Sequence, residues 1–153
     1  MQIGHVHLKV ANLERSVSFY RDVLGFELRG ELPGAAFLAD DGYHHHIGLN
    51  TWSSADGPPP AAGTTGLFHL AILYPTRREL AVALRRVVDA GVPLSGASDH
   101  GVSEAVYLND PDLNGIELYR DRPRAEWPMN GDGTVAMFSA PLDLQGLLAA
   151  AQG

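Results

Sequence analysis

Seven histidines and no cysteine set the chemical repertoire of this 153-residue chain. Without a thiol there is no Cys nucleophile, no CxxC redox pair and no iron–sulfur cluster, so imidazole and carboxylate groups must carry the chemistry. Three such groups fall at related places. His5 opens His5-Val-His-Leu, His69 opens His69-Leu-Ala-Ile, and Glu117 stands inside Gly115-Ile-Glu-Leu, where His46-Ile-Gly-Leu carries Gly48 instead. Two imidazoles and one carboxylate brought by different strands to one cavity make a facial triad, which leaves about three positions of an octahedral metal open. Glu117 lies in a strand whose neighbours Ile116 and Leu118 face an apolar layer, and its buried carboxylate would be unpaired unless a cation meets it. A carboxylate at position 48 would close a fourth metal position; Gly48 is expected to leave it vacant.

The remaining imidazoles are weighed by strand parity. His7 is two residues from His5 and shares its face, either behind the ligands or at the solvent edge. Among His44, His45 and His46, alternation puts His46 on the inward face of Gly48 and His44 further out, while His45 points the other way with Ile47 and Leu49. An inward His46 suits proton transfer, since an unperturbed imidazole titrates near pH 6.5; its plain alternative is a hydrogen bond to backbone at the cavity rim. His100 precedes Gly101 in a turn and on its own reads as a surface loop residue. Tyr107, between Val106 and Leu108, points inward, where its hydroxyl needs a partner.

These residues need strands to hold them, and the apolar pattern supplies two equivalent sets. Period-two alternation predicts a strand over residues 3–10. Asn12 caps a helix whose apolar positions Leu13, Val17, Tyr20 and Leu24 end at Gly25. Short apolar runs at 26–32, 35–39 and 44–52 then follow, separated by Pro33-Gly34 and Asp40-Asp41-Gly42. The stretch 53–66, with three consecutive prolines and no periodicity, is a linker. Beyond it the order returns: a strand at 67–74, a helix at 77–90 closed by Gly91, and strands at 94–97, 104–109 and 115–120. The expected fold is α+β, two tandem βαβββ modules pairing into an incomplete barrel around a metal site, because each module alone exposes an unpaired sheet face. One domain is expected over residues 1–153: module 1 at 1–52, the linker, module 2 at 67–120, and a tail at 121–153 ending in a short helix packed over an edge or a subunit boundary.

Gly and Pro together, 17 and 10 residues, are too few for a low-complexity chain, and 45% hydrophobic content suffices for a core without staples. A net charge of −7 with scattered basic residues argues against nucleic acid. No run approaches a membrane span, and the strand pattern begins at once, with no room for a signal peptide, so a cytoplasmic location away from membranes is expected.

The opening GHVHLKVANLERSVSFYRDVLGF resembles the vicinal oxygen chelate superfamily of glyoxalases, fosfomycin and bleomycin resistance proteins and extradiol dioxygenases, over roughly residues 3–120. Two segments are similar to its extradiol branch: YHHHIGLNTW at 43–52 and HGVSEAVYLNDPDLNGIE at 100–117. The resemblance implies metal ligands at His5, His69 and Glu117, a proton-transferring His46, and substrate contacts from His100 and Tyr107. It also implies an Fe(II) cofactor, with Mn(II) or another divalent metal accepting the same donors. The small-molecule substrate would be a catechol-like vicinal diol cleaved with O2, and the expected assembly is a homodimer. The family usually has Gly or Pro where Leu113 stands, and its better known ring-cleaving enzymes carry four modules. Two other classes are open: another metal-dependent lyase, isomerase or thiol transferase of this fold, and a metal-free drug-sequestering binding protein. Gly48 weighs against the glyoxalase form, which has a carboxylate there; the binding protein would have no need of two His and a Glu in its cavity.

Overall fold

A computed structural model describes residues 1–152. It is an α+β protein with two four-stranded sheets of identical strand order. The chain divides into two compact units: residues 1–68 with 110–114, and residues 69–109 with the chain from Gly115 onward.

Unit 1 runs β1 (Val6–Lys9), α1 (Leu13–Ser18), a π-helical turn (Phe19–Val23), β2 (Glu27–Leu32), β3 (Ala35–Ala39) and β4 (Ile47–Asn50). The sheet order is β1-β4-β3-β2, with β1 parallel to β4 and the other pairs antiparallel. Asn12 caps α1 through its side-chain oxygen, which accepts the Arg15 N–H at 2.9 Å. The helix buries Val17, and the turn after it buries Phe19 and Tyr20, all three among Leu38, Ile47 and Leu49 in the unit's core. Gly25 ends it in the left-handed region, φ +89°, where a side chain would be strained.

The loop Asp110–Asn114 belongs to this unit and grips it by charge. The Asp110 carboxylate accepts the Tyr20 hydroxyl at 2.9 Å and the backbone N–H groups of Asp112 and Asn114, while Asp112 takes Arg15 and the Ala11 N–H. Burial, and then the nearby Asp110 charge, push the Tyr20 hydroxyl far above the usual tyrosine range. Leu113 sits at φ +64°, which accounts for the Gly its relatives are expected to carry there but not for the Pro, whose ring excludes a positive φ.

Unit 2 repeats the plan with β5 (Leu70–Leu73), α2 (Arg77–Asp89), β6 (Leu94–Asp99), β7 (Ser103–Asn109) and β8 (Gly115–Asp121), in the order β5-β8-β7-β6. Thr76 caps α2, its hydroxyl accepting the Glu79 N–H at 3.2 Å and donating to the Glu79 carboxylate at 2.7 Å, and the helix buries Leu80, Leu84 and Val87. Buried Glu104 accepts from Arg77 and Arg120. Arg77 also donates to the Gly146 carbonyl at 3.1 Å, tying down α3 (Leu144–Ala149), whose Leu147 is fully buried. The tail helix expected at an edge or a subunit boundary therefore packs on α2 of its own unit.

Three strands are shorter than the alternation suggests. β1, β4 and β5 each span four residues because their parallel ladders run only from Val6↔Ile47 to Lys9↔Asn50 and from Leu70↔Ile116 to Leu73↔Tyr119. His5 and His69 consequently stand just ahead of β1 and β5.

Candidate metal and proton-transfer site

In unit 2, β7 and β8 pair antiparallel with Tyr107 opposite Glu117, so the two side chains rise from the same sheet face. The Tyr107 hydroxyl lies 3.1 Å from Glu117 Oε1, and His69 Nε2 lies 2.9 Å from Glu117 Oε2. His100, directly after β6, places Nε2 2.8 Å from the Tyr107 oxygen and Nδ1 2.9 Å from the Phe138 carbonyl oxygen. Four side chains far apart in sequence form one connected run. Glu117 is only 13% exposed, and burial followed by the Glu117 charge pushes the Tyr107 hydroxyl up to about 12. Tyr107 is thus a proton holder at neutral pH.

The donor set of this pair suits a divalent metal. Imidazole nitrogen and carboxylate oxygen are what iron, manganese and zinc accept. Two ligands at about 2.1 Å from one ion and at right angles lie about 3 Å apart, close to the observed His69–Glu117 separation. Among the described residues no three His, Cys, Asp or Glu side chains stand together as a metal-holding group. Unit 2 supplies two donors, and His5 belongs to unit 1.

Unit 1 brings together a different set from the one parity predicts. The His45 ring lies 4.4 Å from His5 and 5.1 Å edge-on to Phe37, which is the register partner of Gly48. His45, not His46, shares the Gly48 face. His46 instead accepts the Asp40 N–H on Nδ1 at 3.2 Å and stacks on Tyr43. Alternation fails here because β4 begins only at Ile47 and residues 43–46 bend ahead of it. Loss of hydration, then the neighbouring His5, holds the His45 imidazole below the usual histidine range.

The position expected to be vacant is also filled. A Cβ on Gly48 would lie 2.8 Å from His7 Nδ1, so the His7 ring occupies the space. His7 pairs with Gly48 as Ala71 pairs with Glu117, which confirms that positions 48 and 117 are equivalent in the two sheets. Sequence reasoning missed the contact of His45 with His5 and the Phe138 carbonyl; the histidine run hinted at the first, and no side-chain pattern signals the second.

The family described as the glyoxalase/bleomycin resistance protein/dioxygenase superfamily matches residues 2–118. The chain is 43% identical over 146 residues to a catechol-2,3-dioxygenase of Bacillus subtilis (strain 168), covering 95% of this chain and 50% of that protein. It is 32% identical over 120 residues to biphenyl-2,3-diol 1,2-dioxygenase 3 of Rhodococcus globerulus, covering 78% of this chain and 63% of that one. The chain thus spans about half to two thirds of the length of these relatives. Among solved structures, a lactoylglutathione lyase from Agrobacterium tumefaciens superposes with a TM-score of 0.60 at 26% identity, over 78% of this chain and 92% of that one.

Proposed function

The chain belongs to the glyoxalase/bleomycin resistance protein/dioxygenase superfamily, and from that premise we propose that it is an extradiol-type dioxygenase cleaving a catechol-like vicinal diol with O2. The observation that carries this reading is the unbroken run His69–Glu117–Tyr107–His100, which sets a two-donor metal pair beside a phenol and an imidazole able to handle a diol proton. The names of two relatives, a catechol and a biphenyl-diol dioxygenase, point the same way.

In this reading the ligands that the resemblance implies, His5, His69 and Glu117, would hold an Fe(II) ion, Mn(II) being the alternative with the same ligand preference. The metal, when bound, supplies Lewis acidity and a meeting place for diol and oxygen. The chain's own groups do the rest. The Tyr107 oxygen can accept the diol proton as its own proton passes to His100 Nε2 across the 2.8 Å contact, so the phenol relays a proton without being left ionised. The second proton-transfer group is a histidine of the 44–46 run. The sequence assigns it to His46; the 4.4 Å contact with His5 favours His45, whose imidazole loss of hydration and then the neighbouring His5 hold below the usual histidine range. A lyase with a second carboxylate fits less well, since the His7 ring leaves no room for one at position 48.

The test is an oxygen-electrode screen of anaerobically iron-loaded protein against substituted catechols, with Glu117→Ala as control. Diol-dependent uptake that vanishes with metal binding in that variant supports the reading; no uptake with any diol by a metal-replete protein overturns it. His45→Ala should then retain metal and lose roughly 10²- to 10⁴-fold in turnover, with His46→Ala far less affected. The reverse order would restore the assignment to His46.

A further inference from the structure

We infer that the segment Pro128–Ala140 is a positioning element of the site, and that the Phe138 carbonyl fixes the tautomer of His100 so that Nε2 faces Tyr107 as an acceptor. This rests on the role proposed above for His100. A carbonyl oxygen can only accept, so the 2.9 Å contact with His100 Nδ1 requires the proton on Nδ1. In a neutral imidazole Nε2 then carries a lone pair. The Tyr107 hydroxyl has one proton and two acceptors in reach, His100 Nε2 at 2.8 Å and Glu117 Oε1 at 3.1 Å. With the tautomer fixed, whatever commits Glu117 elsewhere leaves that proton shared with His100 alone. The opposite tautomer would present Nε2–H to the phenol oxygen and leave no base.

The carbonyl is held from both sides. Asp99 and Ala140 exchange two backbone hydrogen bonds of 2.9 Å, and the Ser139 hydroxyl reaches that of Ser98 at 3.1 Å. The Phe138 ring lies over Gly101, where a Cβ would fall 2.5 Å from it, and beside Pro128. Ser98 and Asp99, before His100, are therefore clamped to Ser139 and Ala140, and Gly101, after it, is covered by the Phe138 ring. A loop histidine thereby acquires one orientation.

The test is heteronuclear NMR of the metal-free protein with 15N-labelled histidine, the His100 signals being assigned by their loss in His100→Gln. The expected spectrum at neutral pH shows Nδ1 protonated and Nε2 bare, and Phe138→Ala, which frees the ring from Gly101, shifts His100 towards the Nε2–H form. On an established diol the same variant should lose several-fold in kcat with KM little changed, well short of the loss of the imidazole itself. Should Phe138→Ala fail to fold, an ester in place of the 138–139 amide weakens the same acceptor and should move the tautomer likewise. Nε2–H in the parent protein, or an Nδ1–H form unmoved in the folded variants, would overturn the inference. Because the tautomer is read without metal or turnover, its failure is distinguishable from failure of the dioxygenase assignment.

Discussion

His7 with Gly48, and Ala71 with Glu117, occupy equivalent registers in the two sheets, and bulk is exchanged between the partners. Where the β1 residue is large the β4 residue is glycine; where the β5 residue is small the β8 residue is the proposed ligand. This exchange makes Gly48 a packing requirement of His7, and a two-background experiment separates that from an intrinsic preference for glycine. Gly48→Ala should cost about 1 kcal/mol in the parent, because the exposed His7 ring must swing aside. In the His7→Ala background the same change should be neutral or stabilising, as alanine in a strand is better than glycine by roughly 0.5–1 kcal/mol. Chemical denaturation measures both, and an equal cost in the two backgrounds would contradict the exchange.

The elements were largely legible in the sequence, because each carries its own local signal. The Thr76 cap and the spacing of Leu80, Leu84 and Val87 mark α2, and the strands β2, β3, β7 and β8 fall within a residue of the alternating runs. His5, His69 and Glu117 stand out in the sequence because the repeat gives them equivalent addresses, and Tyr107 because it alternates with Val106 and Leu108. What escaped was set by partners distant in sequence. The ladder between β1 and β4 decides that alternation stops at Ile47, and parity therefore misdirected His45 and His46. The hold of Asp110 on Tyr20 across 90 residues is likewise invisible to any window. It yields a prediction at the scale of α1. Tyr20→Phe should lower stability at neutral pH by roughly 1.5–3 kcal/mol, the value of a hydrogen bond to a charged group. The folded-state pKa of Tyr20 is raised, so its contribution is complete below the unfolded value near 10 and declines as pH rises beyond it, where only the unfolded chain releases the proton. The parent should thus lose stability above pH 10 more steeply than the variant, as urea titrations at several pH values would show; parallel curves would contradict the coupling.

For the whole molecule, two repeats of one module carry unequal shares of the proposed chemistry: one gives His69, Glu117, Tyr107 and His100, the other His5 and the histidine run. Each unit also leaves large apolar side chains in solvent, Ile3 and Leu32 in the first and Leu73 and Met137 in the second, and open strand edges in its sheet. A homodimer is the expected remedy, and sedimentation at micromolar concentration should return twice the chain mass; a single-chain species would contradict it. Ring cleavage by incorporation of oxygen is tested by mass spectrometry of the product formed under 18O2 by the iron-loaded protein. Both atoms of one labelled dioxygen in a ring-opened product is the predicted result. A quinone or unopened ring without label, formed while oxygen is consumed, would contradict it.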